Sequence, residues 1–442
     1  MNASKRYTTT TADMSWFNRD ALGLFIHFGI NSVPGIEPSW PMKAFGAEDA
    51  EADSAEKWTP ERYYALAEQF TIDQYDPETW VAVAKEGGFR YAVLGTMHHD
   101  GYCLWPTKTK ELHSGNVGPK RDIVGPFVET FRKAGLKVGL YLSLIDWEDP
   151  DFVSMPASFR FSSPVHPYTD FDPDRWNKFL RRKFAQVREL LTNYGKIDIM
   201  WFDVPGWGSD IWYADEMKMM MLELQPHIIC NDRLPGAGDF ATPEQQIPVD
   251  PVEGLWETNM TSNESWGFHP DPSKYKSVRD MVRNLCEIRS KGGNLLLNVS
   301  PDSRGVFPET ACERFRGLGD WLSVSGESIF GSEAGVSCRH FWGPSTRRGN
   351  TLYCHLPATP DPDFELRGIA EDPVRVYILQ NGAPLPFLRR CHRIVIDCSG
   401  QKLDPRGATV AVEFAAPPSS LEFTNAVFTK RGLPLWGDRP KA

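Results

Sequence analysis

The sequence lacks most of the features that assign a chain to a class at a glance. No apolar run is long enough to span a bilayer, and the opening MNASKRYTTTTADMSW has no apolar stretch of the kind a secretory signal uses. As written, the chain is expected in the cytoplasm without a membrane partner; a leader removed before this numbering would make it secreted or periplasmic. Positive charge is in deficit: 48 Lys and Arg face 58 Asp and Glu, for a formal charge of -10. That argues against nucleic acid as a partner. The eight Cys form no CxxC or regular framework, and several, such as Cys230 in HIICNDR, sit in apolar runs as reduced core residues. No GxGxxG, GxSxG, HxxxH or HExxH occurs, so a dinucleotide fold, a serine-hydrolase elbow and a zinc-hydrolase helix all lack support. Without a secretory address, the sequons at Asn259, Asn263 and Asn298 read as accidental. The acidic stretch EDAEADSAEK (48–57) reads as solvated surface.

What is present is alternation. At 442 residues the chain exceeds one small core, and two domains are expected. Apolar runs at 22–29, 91–97, 136–144, 197–204, 227–233 and 294–300 read as strands. Between and after them, helices are expected at 77–88, 122–135, 172–195, 214–226, 276–293 and 308–323. Such alternation means a parallel sheet with crossover helices, and its length favours a (β/α)8-like barrel over residues 1–335. From about residue 336 short alternating runs such as RVYILQNG, RIVIDC and ATVAVEF take over, predicting a C-terminal β-sandwich over 336–442.

In a barrel, function gathers where strands end. His27 follows LFI, His98 and His99 follow YAVLGTM, Asp203 follows IMWF, and Asp232 and Arg233 follow IICN. Four strands ending in titratable groups are not a pattern of chance caps. Asp203, with Trp201 two residues back and Trp207 just beyond, suits a nucleophile beside a sugar-stacking surface and equally suits an ion-pair partner. A second acid would come from the following loop, which carries Asp239, Glu244, Glu253 and Glu257. Glu244 follows a proline, and Glu257 follows Trp256, whose indole would raise its pKa. The residues alone do not choose between these two. His98 and His99 are neighbours in an extended segment and are expected to point apart, which makes hydrogen bonding to hydroxyls a better use for them than gripping one metal ion. Arg233 would clamp a ring oxygen or a carboxylate. Two rival classes stay open, a non-catalytic carbohydrate-binding protein and a metal-dependent hydrolase.

GLFIHFGINSVPG, YAVLGTMHHDGYCLW, IDIMWFDVPGW, ICNDR and SKGGNLLLNVSPDSRG, in that order from about Trp16 to Phe330, resemble the α-L-fucosidases of glycoside hydrolase family 29. The resemblance implies a catalytic barrel followed by a β-sandwich, and retaining hydrolysis of fucosylated oligosaccharides or glycoconjugates with no metal or other cofactor. It implies Asp203 as nucleophile, with His27, His98 and His99 on the fucose hydroxyls. Trp40 and Trp201 would line the pocket, and Arg233 would lie beside the reacting centre. The TPE segment is similar to that of members cleaving α-1,3/4 linkages, which selects Glu244 as acid/base and leaves Glu257 as the reserve and a substrate contact. The chain departs from the family where many members have Glu-Trp. EPSW puts Ser39 before Trp40, with Glu37 further back, so a related sugar of L-galacto configuration stays admissible. Oligomeric state is left open.

Overall fold

The computed structural model describes residues 13–43, 58–152, 161–166, 169–203, 208–249, 252–337, 339–360 and 362–420. Trp207, Cys338 and the 48–57 stretch lie outside them. The chain divides into two compact units, Met1–Ile288 with Gly292–Ser323, and Arg289–Lys291 with Val324–Ala442.

The first unit is built on β1 (Leu22–Ile26), β2 (Tyr91–Met97), β3 (Lys137–Ser143), β4 (Ile199–Asp203), β5 (Ile229–Cys230), β6 (Glu257–Thr261) and β7 (Asn294–Val299). These make a seven-stranded parallel sheet in the order β5-β4-β3-β2-β1-β7-β6. Nearly every strand residue is buried, as a parallel sheet covered on both faces requires. Helix boundaries follow local chemistry. Asp172 caps the Pro173–Asn193 helix through the Asp174 and Arg175 N–H groups, and Trp176, Phe179, Leu180, Val187, Leu190 and Leu191 form its buried stripe. Asp76 caps Pro77–Glu86 in the same way.

The gap between β5 and β6 is where the sequence reading fails. Residues 238–260 read as one loop, yet Phe240–Glu244 runs parallel to both neighbours, with bridges Asn231↔Phe240, Ala241↔Trp256 and Glu244↔Asn259. The Asp232 N–H donates to Phe240 O and the Glu257 N–H to Ala241 O, each at 2.9 Å. This segment stands in the eighth position and carries the ring round from β5 to β6. It stays irregular because Pro243 has no N–H for a ladder. Glu257 opens β6 and is not a loop residue.

Inside the ring lies a cluster of Phe25, Tyr91, Tyr141, Ile199, Trp201 and Leu296, with Trp16, Phe17 and Phe240 also packed into it. Filled interiors of this kind leave only the rim at the strands' C-terminal ends for chemistry.

The second unit is antiparallel. One sheet runs β12 (Pro373–Ile378), β15 (Ala408–Phe414), β10 (Thr351–Leu356), β9 (Ser345–Arg348) and β8 (Glu333–Ala334), in that order. The other runs β11 (Asp363–Arg367), β14 (Arg393–Asp397) and β13 (Phe387–Arg390). Leu352, Cys354, Phe364, Leu366, Ile394, Ile396, Val410 and Val412 share one core between the sheets, with the period-two burial of a sandwich along β11 and β14.

Candidate active site

Strand register assembles the site. Tyr141 pairs with Trp201 and Ser143 with Asp203 across β3 and β4, so two inward-facing pairs lie side by side. Tyr141 OH donates to Asp203 Oδ2 at 2.9 Å. Arg233 donates from Nη1 to Asp203 Oδ1 at 2.7 Å and from Nη2 to Glu244 Oε2 at 2.6 Å. One guanidinium thus joins the two carboxylates, one at the end of β4 and the other at the end of the irregular eighth segment. Burial alone would raise the Asp203 carboxyl. The charges of Arg233 and His99 and the bonds from Arg233 and Tyr141 outweigh that and hold it below the usual range.

Three histidines gather on the other side. His98 and His99 do not point apart: their ring centroids are 4.1 Å from each other. β2 ends at Met97 after a register shift against β3, and the Gly101 N–H closes a turn on His98 O with Gly101 at φ +78°. Strand alternation therefore stops before these residues. Each histidine has its Nδ1 held. Asn298 Nδ2 donates to Trp266 O, leaving Oδ1 to accept from His27 Nδ1 at 2.7 Å. Ser143 Oγ donates to Ile145 O and so accepts from His99 Nδ1 at 2.7 Å. Ser39 Oγ donates to Asp100 Oδ2 and so accepts from His98 Nδ1 at 2.6 Å. Neutral His27 and His98 held this way keep Nε2 as an acceptor, whereas His99 Nε2 faces Asp203 Oδ2 at 3.7 Å. Burial pushes His27 down to about 4, against the opposing pull of the Asn298 bond and Asp203. Burial, with His99 and His27 adding to it, puts His98 well below its ordinary value.

Trp40 stands edge-on to His99 and Trp147, each at 5.3 Å. The Trp147 loop is pinned through Asp146, which accepts from Lys110 at 2.9 Å and from the buried Lys183 at 3.0 Å. Trp201 is only 1% exposed, so it is a floor and not an open stacking face. Arg233 sits 4.9 Å over its ring.

Glu257 is not with this group. It is fully buried beneath Trp201, accepting from Trp201 Nε1 at 3.2 Å and from Tyr91 OH, and it offers no oxygen to a pocket. Asp239 is likewise engaged elsewhere, by Lys218 and the Cys230 N–H, and Glu253 is exposed. Ser39 is fully buried in the His98–Asp100 network, supported by Tyr63. Glu37 accepts from Ser265 Oγ and from the Trp266 N–H at 3.0 Å, which fixes Trp266 with its ring 5.3 Å from His27. Residue reading missed Tyr141, Ser143, Asn298, Trp147 and Trp266. The i, i+2 spacing of Tyr141 and Ser143, matching that of Trp201 and Asp203, was the available signal. The sequons at Asn259, Asn263 and Asn298 are buried, and Asn298 serves His27.

His98, His99 and Asp203 offer donor atoms within 4.8 Å of one another, close enough to share a metal ion, which corrects the expectation that the histidines diverge. The charge of Arg233 on the same carboxylate works against a cation there.

Two carboxylates bridged by one guanidinium at a barrel mouth, among histidines and indoles, fit the class of glycoside hydrolases. A family model described as alpha-L-fucosidase matches residues 1–327, and the chain belongs to that family. It is 28% identical over 338 residues to a putative alpha-L-fucosidase of Caenorhabditis elegans, covering 72% of this chain and 67% of that protein. The tissue alpha-L-fucosidase of Rattus norvegicus is 28% identical over 341 residues, 72% of this chain and 70% of its own length. Among solved structures, alpha-L-fucosidase isoenzyme 1 from Paenibacillus thiaminolyticus superposes with a TM-score of 0.80 at 31% identity, covering 91% of this chain and 98% of that one. A family 29 alpha-L-fucosidase mutant from Bacteroides thetaiotaomicron, trapped as a covalent intermediate with 2-fluoro-fucosyl fluoride, gives a TM-score of 0.76 at 25% identity, covering 94% and 98%.

Proposed function

We propose that the chain hydrolyses terminal α-L-fucosyl linkages of oligosaccharides or glycoconjugates with retention, Asp203 being the nucleophile and Glu244 the acid and then the base. The observation that carries this is the Arg233 fork, which holds both carboxylates at 2.7 and 2.6 Å. Such sharing suits the retaining separation of roughly 5–5.5 Å better than the roughly 6.5–9.5 Å of inverting enzymes. Arg233 keeps Asp203 ionised and nucleophilic. Glu244, its side chain 42% exposed, leaves the fork when the glycosidic oxygen arrives and takes up the proton it will donate.

Asp203 Oδ then bonds to C1 as the bond from C1 to the leaving oxygen breaks and Glu244 protonates that oxygen. In the second half Glu244 takes a proton from water, the water oxygen bonds to C1, and the Asp203 ester opens. Fucose presents three hydroxyls and a methyl group, and the three histidine Nε2 atoms beside the Trp40 and Trp266 indoles support that match. The TPE segment supports a preference for α-1,3/4 linkages, which a panel of fucosylated oligosaccharides reads directly. Glu244→Gln is expected to lose about 10²–10⁴-fold in kcat/KM on a natural glycan and far less on an aryl fucoside whose leaving group needs no proton. Equal losses on both would remove Glu244 from the acid role.

A further inference from the structure

Beneath the pocket lies a carboxylic acid that the chemistry above does not use. Glu257 is fully buried among the apolar and aromatic residues that fill the barrel. Its surroundings are the Tyr91 hydroxyl and the Trp201 indole, with no ion pair to Lys, Arg or His among the described residues. Burying a carboxyl without a cation is costly, and an apolar residue of similar size would fill the space at less expense.

What the carboxyl supplies is an acceptor at one point. An indole has a single N–H and no acceptor, so an acceptor fixed below Trp201 selects one of its two flipped orientations. Everything that steadies Asp203 from below rests on that ring. Arg233 lies 4.9 Å over its face, and Tyr141 stacks on it at 5.6 Å with an interplanar angle of 27°. Arg233 and Tyr141 in turn hold the two oxygens of Asp203 at 2.7 and 2.9 Å.

We propose that Glu257 is a positioning residue for the hydrolysis: by accepting the Trp201 N–H it sets the ring on which Arg233 and Tyr141 are seated under the nucleophile. Whether protonated or ionised, the carboxyl keeps an oxygen for the indole. The inference rests on the reading of Asp203 and Arg233 as the reacting pair.

The test is kinetic. Glu257→Leu removes the acceptor and is expected to lower kcat on an aryl α-L-fucoside by about 10²-fold, the cost of a small misplacement of reacting groups, with KM little changed. Glu257→Gln keeps an amide oxygen for the indole and is expected to restore kcat to within a few-fold of the unaltered enzyme. A fully active Glu257→Leu enzyme overturns the proposal. So does a Glu257→Gln enzyme as impaired as the leucine variant, because the acid itself would then be required. If Glu257→Leu does not fold, Trp201→Phe deletes the N–H while leaving the Tyr91 bond. The same fall in kcat is expected there, and unchanged kcat refutes the role. Covalent labelling of a residue other than Asp203 would sink the reading of the site, which none of these variants does.

Discussion

Arg233 settles the charge state of Asp203. Its guanidinium opposes the burial that would otherwise raise Asp203, and the two carboxylates in turn keep Arg233 above its ordinary value despite its own desolvation. Arg233→Ala removes the counter-charge, so Asp203 must shed its proton at higher pH. The acidic limb of the kcat/KM profile is expected to move up by about 1–3 pH units, the usual effect of a close opposite charge; an unmoved limb would mean another group sets it. At this scale the sequence was partly legible. His27, His98, His99, Asp203 and Arg233 are all visible as strand-end residues. Tyr141 and Ser143 were not, because they lie within β3 and act only through its register with β4. Asn298 reads only as an accidental sequon because its partner His27 is 271 positions away in sequence.

Strands at this density tolerate little. Gly23 pairs with Tyr91 across β1 and β2, and a Cβ at Gly23 would meet the Tyr91 ring at 2.2 Å. Gly23→Ala is expected to cost about 1–3 kcal/mol through overpacking, read as a lower urea midpoint with an unchanged slope; an unaltered midpoint would show that the ring yields freely. Strands with continuous apolar runs declare themselves, as YAVLGTM and NLLLNV do. β6 does not, since ETNMT mixes Glu, Asn and Thr with one Met, and its burial follows from ring closure and not from composition. The eighth segment is hidden by Pro243 in the same way. The pair rule for His98 and His99 failed because it applies to extended backbone, and β2 had already turned.

For the whole molecule, buried titratable groups of opposite shift set the pH range of stability. His27 falls from 6.5 to about 4, so the unfolded chain takes its proton first. The stability this group contributes is complete above 6.5 and drains away as pH drops towards 4. Glu257 rises from 4.5 to about 7, so its contribution is complete below 4.5 and is lost as pH climbs to 7. Glu257→Gln is therefore expected to gain in Tm relative to the unaltered chain as pH rises through that window; a constant difference would contradict the shift. The barrel-then-sandwich architecture was readable because alternation of strand and helix, followed by strands alone, is a long-range pattern that local irregularities do not erase. The central claim concerns one bond, between Asp203 and the anomeric carbon of fucose, and its most direct measurement is mass-spectrometric peptide mapping after trapping with 2-fluoro-fucosyl fluoride. The label is predicted on the peptide carrying IDIMWFDV, at Asp203; a label on any other residue would contradict the account.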